Sequence, residues 1–443
     1  MPVLHPRVRA GILACLCALF PAAPRAQDVP IDLARAHQYF EEARAICERD
    51  AGKLWGKSLC GPMLFVDIES RQLVANQPDR EGILQKTGNV FTGTLPENEN
   101  IANTATTWAG VKWTMIIWTS LGDTPAARAR LMMHELFHRI QDEIGFPMRN
   151  PSNAHLDSLD GRYWLQLEWR ALRRALVEKD AARRQAIADA LTFRARRRQI
   201  FPQAAAEERA LEMNEGLAEY TGVKLRGTPD AETAEVLARR MADASNRPTF
   251  VRSFAYESGP ACSLLLDASG ADWRKALKPD DDLGQLLQQA LKLSLPQDLS
   301  SAAESRAKQY DGEALRASET ERENARQKRI SAYRARLVDG PVLILPVNEQ
   351  FNYSFNPNEL VPLDEGKTAF PTTRVTDAWG ILNVTDGALL VREAGRVVRV
   401  AVAAPADPQR RPLAGPGWTL DLAPGWSIVP GTRTGDFRVE KQK

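Results

Sequence analysis

The spacing of apolar and polar residues changes character along the chain. Residues 31–50 have a helical pattern, whereas Gly61 to Thr119 contains short apolar runs rich in Val, Ile, Thr and Trp, which favour strands. Within this stretch, residues 62–68 and 71–76 predict a β-hairpin. From Pro125 to about Ala335 the pattern is predominantly helical. A β-rich part is therefore followed by a long helical part.

From Gly340 onward, Pro and Gly cluster between short apolar runs, which is typical of a small β domain built as a sandwich or barrel. The strand near Val111 to Trp118 is the expected edge strand of the N-terminal lobe, lying at the edge of the cleft. We divide the chain into a leader at 1–26, an N-terminal α/β lobe with an edge strand at 27–124, a helical region at 125–338 and a C-terminal β domain at 339–443. The predicted fold class is α+β.

Charge adds little to this picture. The 58 Lys and Arg residues nearly balance the 56 Asp and Glu residues, so no nucleic-acid partner is indicated. One helical stretch is strongly basic and ends in four arginines within residues 194–198. We interpret it as a solvated helix face rather than a contact for an anionic polymer. Beyond the leader, no segment has the roughly 18 uninterrupted apolar residues of a membrane span.

The leader itself is typical of a secretory signal peptide. Arg7 and Arg9 precede an apolar run at 10–20, and small residues follow up to a plausible cleavage point near Ala26. Acylation of Cys15, as in a lipoprotein, is the alternative. We therefore expect a periplasmic or secreted protein without a membrane span in its mature form.

Export also bears on the cysteines that remain in the mature chain. An oxidising compartment would allow Cys47 and Cys60 to form a disulfide, and two buried thiols are the alternative. Cys262 is then unpaired, and its apolar surroundings predict that it is buried. The absence of any C-x-x-C argues against a cysteine zinc site.

One predicted helix has clear signals at both ends. Thr124 is a suitable N-cap and Pro125 suits the first helical position, whereas Gly145 and Pro147 supply the stop. Its apolar stripe predicts that one side is buried. The residues of this stripe are Leu131, Met132, Leu136 and Ile140.

This helix carries the pattern H-E-x-x-H at residues 134–138. His134 and His138 are four residues apart, so both project from one helix face, as two imidazoles must to bind a single Zn²⁺. Glu135 lies close enough to act as a base on a water molecule at that metal. An apolar core helix with two chance histidines is less favoured, because burying two imidazoles and a carboxylate together is costly without a ligand.

A zinc site needs a third protein ligand. The metzincin pattern fails, since Gln141 and Ile144 occupy the positions where it requires Gly and His. Glu215 in a later helical stretch is the better candidate and would complete a His2Glu site. Glu219, four residues further on, could orient one of the histidines, and a plain exposed helix face is the alternative explanation for a Glu pair at this spacing. Asp157 is the rival third ligand.

H-E-x-x-H at 134–138 followed by Asn214-Glu215-Gly216-Leu217-Ala218 resembles the gluzincin metallopeptidases, most closely the aminopeptidase N group. Tyr256-Glu257-Ser258-Gly259 is similar to a third motif of that group. The resemblance implies a zincin-like core, with an N-terminal β lobe and a helical lobe. It also implies that Tyr256 stabilises the oxyanion and that Asn214 supports the site.

The chain also departs from that group. Glu215 follows His138 by 77 positions, a much longer gap than in aminopeptidase N, and we interpret residues 146–205 as a helical insertion. The exopeptidase motif G-x-M-E-N is absent, and residues 103–110 stand at about its place without matching it. Ser258 replaces the Lys of the third motif. Aminopeptidase activity therefore does not follow from the resemblance.

The sequence thus predicts an exported hydrolase with one zinc ion, which cleaves a peptide or protein substrate. In this hypothesis His134, His138 and Glu215 bind the metal, Glu135 is the base and Tyr256 is the oxyanion partner. Two alternatives are a hydrolase of non-peptide substrates on the same scaffold and a binding protein with a structural or vestigial zinc site.

Overall fold

A computed structural model describes residues 31–96, 99–355, 359–410 and 412–442 of the chain. The predicted signal segment at 1–26 lies outside the described residues. The fold is mixed, with helices and several sheets, as the α+β prediction requires. No helix in the described ranges is both long and apolar enough to cross a membrane.

The N-terminal part pairs one helix with a six-stranded sheet. Its elements are α1 (Leu33–Asp50), β1 (Met63–Val66), β2 (Gln72–Ala75), β3 (Gln85–Thr87), β4 (Val90–Thr94), β5 (Thr104–Trp108) and β6 (Val111–Ile117). The strand order is β3-β4-β2-β1-β6-β5, and β1 and β6 are parallel. The predicted hairpin is confirmed, because β1 and β2 pair antiparallel.

The predicted edge strand near Val111 to Trp118 is wrong. Ala109 and Gly110 both adopt positive φ, the geometry of a tight hairpin turn, so the chain folds back and β5 pairs with β6. Strand β6 therefore has a neighbour on each side, β1 and β5. The edge on this side of the sheet is β5, which pairs only with β6 among the described residues.

The central part is helical. Its helices are α2 (Pro125–Ile140), α3 (Leu159–Val177), α4 (Asp180–Ile200), α5 (Ala204–Leu211), α6 (Leu217–Leu225), α7 (Asp230–Ala244), α8 (Ala255–Ala268), α9 (Leu283–Ala290), α10 (Leu299–Ala307) and α11 (Gly312–Arg334). Helix α2 begins as predicted, with the Thr124 hydroxyl accepting from the Ala127 backbone N–H and with Pro125 in the first turn. A single apolar core joins α1, one face of the N-terminal sheet and most of these helices.

The basic stretch on α4 is not a solvated face. Arg194 and Arg197 are almost fully buried, and the Arg198 side chain is largely buried too. Four acidic residues from other segments surround them and neutralise their charge, which is what burial of guanidinium groups requires. These acidic residues are Glu168, Glu208, Glu212 and Asp282.

Two sheets form the C-terminal part. Its strands are β7 (Val342–Pro346), β8 (Asn352–Phe355), β9 (Val361–Asp364), β10 (Lys367–Phe370), β11 (Thr373–Asp377), β12 (Gly380–Val384), β13 (Ala388–Glu393), β14 (Arg396–Ala403), β15 (Leu413–Gly415), β16 (Trp418–Leu422), β17 (Trp426–Pro430) and β18 (Phe437–Lys441). The sheets have the orders β17-β18-β7-β14-β13-β10-β9 and β15-β16-β12-β11-β8 and share one core, so the β domain is a sandwich. Residues at the end of α11 pack on the outer face of the larger sheet.

The cysteines resolve the alternative left open by the sequence. Cys47 at the end of α1 and Cys60 before β1 form a disulfide, with Cα atoms 5.4 Å apart. Cys262 on α8 is free and buried, as expected. The disulfide therefore ties α1 to the sheet that begins at Met63.

Candidate metal centre

The candidate site lies where three segments meet. Helix α2 carries the H-E-x-x-H residues, and it packs along α6. Between α5 and α6 the chain makes one π-helical turn, Glu212–Gly216, which contains Glu215. Such widened turns are frequent at functional sites because they re-aim a side chain within a continuous helix. The third segment is the start of α8, which bears Tyr256.

Two glycines allow the π-helical turn and α8 to approach closely. A Cβ atom added to Gly216 would lie 3.0 Å from the Cα atom of Gly259, and one added to Gly259 would meet Gly216 even more closely. Neither position leaves room for a side chain. This contact brings Glu215 and Tyr256, which are 41 positions apart, within hydrogen-bonding distance.

His134, His138 and Glu215 form a compact triangle that could hold a metal ion. The Nε2 atoms of His134 and His138 are 3.1 Å apart. The Oε2 atom of Glu215 lies 3.5 Å from Nε2 of His134 and 3.4 Å from Nε2 of His138. Tetrahedral zinc with bonds of about 2.1 Å requires ligand atoms about 3.4 Å from one another. The triangle therefore has the dimensions of one face of such a site. All three residues are buried.

A chain of hydrogen bonds sets the tautomer of His138. The Arg149 backbone carbonyl accepts from Nδ2 of Asn214 at 3.1 Å, so Oδ1 of Asn214 accepts from Nε2 of Gln141 at 3.0 Å. Oε1 of Gln141 is then left to accept from Nδ1 of His138, 2.7 Å away. Nδ1 is therefore protonated, and Nε2 is the atom that faces the triangle.

Glu219 is the hydrogen-bond partner of the outer nitrogen, Nδ1, of His134. Its Oε2 atom lies 3.2 Å from Nδ1 of His134, as the spacing of Glu215 and Glu219 on one helix face predicts. Arg130 and Arg240 both donate to its other oxygen. With each Nδ1 bonded to an outer acceptor, both Nε2 atoms point into the triangle, which is the orientation of metal-binding histidines.

The electrostatics of the triangle favour positive charge. Burial alone would raise the pKa of Glu215, but its contacts with His134 and His138 lower it well below its usual range. Burial of Glu219 is likewise outweighed by Arg240, His134 and Arg130, so its pKa is also lowered. Burial opposes charge on His134, yet its hydrogen bonds to the two carboxylates raise its pKa to about 10.

Glu135 stands apart from this network. It is buried, its Oε1 atom is 4.0 Å from Nε2 of His134, and its Oε2 atom has no hydrogen-bond partner among the described residues. Burial raises the pKa of this carboxyl group despite the nearby histidines. An unpartnered buried carboxylate is costly and needs a ligand or a chemical role to account for it.

Tyr256 lies on the open side of the triangle. Its hydroxyl donates to Oε2 of Glu215 at 2.6 Å, and its ring stacks on that of His134 with centroids 5.6 Å apart. Burial and the Glu215 carboxylate raise its pKa well above the usual range, so the phenol keeps its proton. Pro260, four residues on, cannot donate to the Tyr256 carbonyl, and Arg240 does so instead.

Asp157, the rival third ligand, is not part of the triangle. It ends a short 3₁₀ turn, Ala154–Asp157, and its Oδ1 atom accepts from the Thr249 hydroxyl at 2.7 Å. Among the described residues, the group that could hold a metal ion contains Glu215 instead. The 77-position gap after His138 is filled largely by helices α3 and α4, which join the central core.

Sequence reasoning missed Gln141 and the arginines of the site. The stop signals at Gly145 and Pro147 suggest a longer helix, but α2 ends at Ile140, and Gln141 turns back to its neighbour His138 three positions earlier. The spacing of three positions between His138 and Gln141 could have predicted this contact. No comparable signal existed for Arg240 or Arg252, because their partners Glu219 and Glu215 are distant in sequence.

His134 of the triangle, together with Glu135 and Tyr256, lines a cleft of about 480 Å³. Asn103, next to the edge strand β5, lines it together with residues of α2, α7 and α8. Comparisons with protein-family models, with curated proteins and with solved structures found no match to this chain. The function of this protein is therefore inferred from the geometry of the site.

Proposed function

We propose that this protein is a zinc-dependent hydrolase that cleaves peptide bonds. The observation that carries the proposal is the buried, unpartnered Oε2 atom of Glu135 beside the His134–His138–Glu215 triangle. A purely structural zinc site has no use for such a carboxylate, whereas a hydrolytic site needs a base at this point. The zincin-like character of the core is part of the same proposal.

Each residue has a distinct role in this mechanism. His134, His138 and Glu215 would hold one zinc ion, which when bound lowers the pKa of a water molecule toward about 7 and polarises a carbonyl group. Glu135 would accept the proton of that water at Oε2 and deliver it to the leaving nitrogen. The Tyr256 hydroxyl would redirect its hydrogen bond from Glu215 to the substrate's carbonyl oxygen as negative charge develops there.

The edge strand supports a peptide as the substrate. Within the described residues β5 pairs on one side only, and Asn103 just before it lines the cleft. An extended peptide could therefore add to this edge through main-chain hydrogen bonds and lie across the triangle. The Cys47–Cys60 disulfide supports a further part of the proposal, that the protein acts in the periplasm or outside the cell.

The decisive experiment replaces the proposed base and keeps the metal ligands. In Glu135→Gln we expect zinc to stay at one equivalent, while hydrolysis of a mixed peptide library falls by about a hundredfold to ten-thousandfold. Glu48→Gln on the exposed face of α1 is the matched control and should change neither quantity. Metal analysis and mass spectrometry of the digested library give the two readouts.

Three outcomes would contradict the proposal. Full peptide hydrolysis by Glu135→Gln would remove the base from the mechanism. Zinc-loaded wild-type protein that cleaves no peptide in the library would instead favour a non-peptide substrate or a binding function. Loss of zinc from Glu135→Gln would show that this carboxylate holds the metal rather than a proton.

A further inference from the structure

Arginines form the open rim of the metal cleft. Arg130, Arg247 and Arg252 line it together with Arg240, which is less exposed than the other three. The side chains of the three rim arginines are 37%, 37% and 45% exposed, in that order. The carboxylates they contact are only 2%, 0% and 9% exposed. The cleft surface therefore presents guanidinium groups, and the compensating negative charge lies beneath it.

The buried carboxylates are fully engaged with their neighbours. Oε1 of Glu219 accepts from two arginines and Oε2 contacts His134. Glu257 accepts from Arg240 on one oxygen and from Arg247 on the other. Glu215 contacts Arg252 through Oε1, and its Oε2 atom faces the two histidines. These oxygens are therefore turned toward the protein and the triangle rather than toward an incoming substrate.

Arg252 is the rim cation closest to the triangle. Its two terminal nitrogens donate to Asn150 at 3.1 Å and to Glu215 at 3.0 Å. A guanidinium has five N–H donors, so most of them remain available on a side chain that is nearly half exposed. Because Glu215 belongs to the triangle, a group bound by Arg252 would lie beside the bond that is cleaved.

The charges of the cleft do not balance once a divalent cation is present. Four arginines face four carboxylates, those of Glu135, Glu215, Glu219 and Glu257, so these side chains balance when the histidines are neutral, as metal binding requires. A divalent cation in the triangle would leave the cleft with an excess of two positive charges. An anionic substrate group would reduce this excess, and guanidinium binds carboxylate in a favourable two-point geometry.

We propose that the cleft selects substrates that carry a carboxylate next to the scissile bond, and that Arg252 is the residue that recognises it. This inference rests on the proposed peptidase function. The carboxylate could be the free C-terminus of a short peptide or the side chain of an acidic residue. Both sources offer the same planar anion to Arg252, with Arg247 and Arg130 adding to the positive field of the rim.

The test compares matched peptides with wild-type protein and Arg252 variants. The peptides are acetylated tetraalanine as the free acid and as the amide, and amidated peptides with Glu or Gln beside the central bond. For wild-type protein we expect kcat/KM for the acid or the Glu peptide to exceed that of its neutral partner by about tenfold or more. Which pair shows the preference distinguishes the C-terminal carboxylate from the side chain.

Arg252→Gln should abolish this preference, and Arg252→Lys should keep part of it. A structural defect would instead lower kcat/KM equally for charged and neutral peptides, so the ratio separates recognition from damage. Arg239→Gln, on the exposed face of α7, is the matched control and should keep the wild-type ratio. Equal rates on both members of every pair, or an unchanged ratio in Arg252→Gln, would overturn the inference.

Binding measurements keep this test separate from that of the proposed function. Titration calorimetry of zinc-loaded Glu135→Gln with the same peptides needs no turnover. Tighter binding of the carboxylate peptides, lost in the Glu135→Gln/Arg252→Gln double variant, would support recognition even if the wild-type protein hydrolysed none of them. Equal binding of charged and neutral peptides would refute it even if hydrolysis were observed.

Discussion

At the scale of single residues, the candidate metal site is defined by the groups that contact the outer nitrogens of its two histidines. Nδ1 of His134 contacts Glu219, and Nδ1 of His138 contacts Gln141, whose own amide is oriented by Asn214. Such outer contacts fix the ring orientation and the tautomer of a metal-binding histidine. The H-E-x-x-H spacing predicted the pair of imidazoles, but it could not predict the groups that orient them.

Substitutions of Glu215 and Asp157 test which of the two residues is the third metal ligand. Glu215→Ala should lower the zinc content of the purified protein well below one equivalent, because one corner of the triangle is lost. Asp157→Ala should retain one equivalent, since Asp157 contacts Thr249 and not the histidines. Metal analysis after dialysis against a weak chelator measures both. Loss of zinc from Asp157→Ala, with full retention in Glu215→Ala, would show that Asp157 rather than Glu215 is the third ligand.

At the scale of elements, the π-helical turn Glu212–Gly216 decides where Glu215 lies. The sequence predicted that Glu215 lies in a helical stretch, and the structure divides this stretch into α5, the π-helical turn and α6. The widened turn leans on α8 through Gly216 and Gly259. The helical periodicity of the sequence does not predict this contact, because Gly216 and Gly259 belong to different helical segments.

Gly259→Ala tests this contact. The added methyl group would meet the Gly216 backbone, so we expect the free energy of unfolding to fall by about 1–3 kcal/mol. Zinc affinity should fall as well, because the turn that carries Glu215 must shift. Urea denaturation of the metal-free protein and chelator competition measure the two effects. Unchanged stability and affinity would mean that the helices separate here without cost.

A helix start that depended on local signals was predicted correctly, whereas two predictions that depended on distant partners were wrong. Helix α2 begins where Thr124 and Pro125 indicate, because an N-cap acts on its own first turn. The edge strand was wrong, because the position of a strand in a sheet depends on its neighbours. The arginines at 194–198 were wrongly assigned to solvent, because their acidic partners lie on other segments.

At the scale of the whole molecule, a buried ion cluster joins the central helices to the helix that leads into the β-sandwich. Arg162 on α3 donates to Glu319 at 2.6 Å and to Glu323 at 2.8 Å, both on α11. Gln166 also bonds Glu319 at 2.7 Å. The last residues of this helical segment, Tyr333 and Leu337, pack on the larger sheet.

Arg162→Ala should therefore destabilise the fold without emptying the metal site. Removing a buried cation leaves Glu319 poorly compensated, which costs about 3–5 kcal/mol. Arg326→Ala is the matched control, because its ion pair with Glu323 is partly exposed and contributes little. Urea denaturation and metal analysis give the readouts. Equal stability of the two variants would show that the cluster is not needed to join these helices.

The sequence by itself determined the local features of this protein: the start of α2, the facing pair His134 and His138, the β-hairpin, and Glu215 as a candidate ligand. These depend on residues within a few positions of each other, or on a short motif that names its own members. The tertiary structure alone placed Glu215 rather than Asp157 beside the two histidines, buried the arginines of α4, brought Asn214 to Gln141 and set Arg252 at the cleft rim. Such contacts depend on which segments meet in space, and helical periodicity carries no information about the partner across the contact.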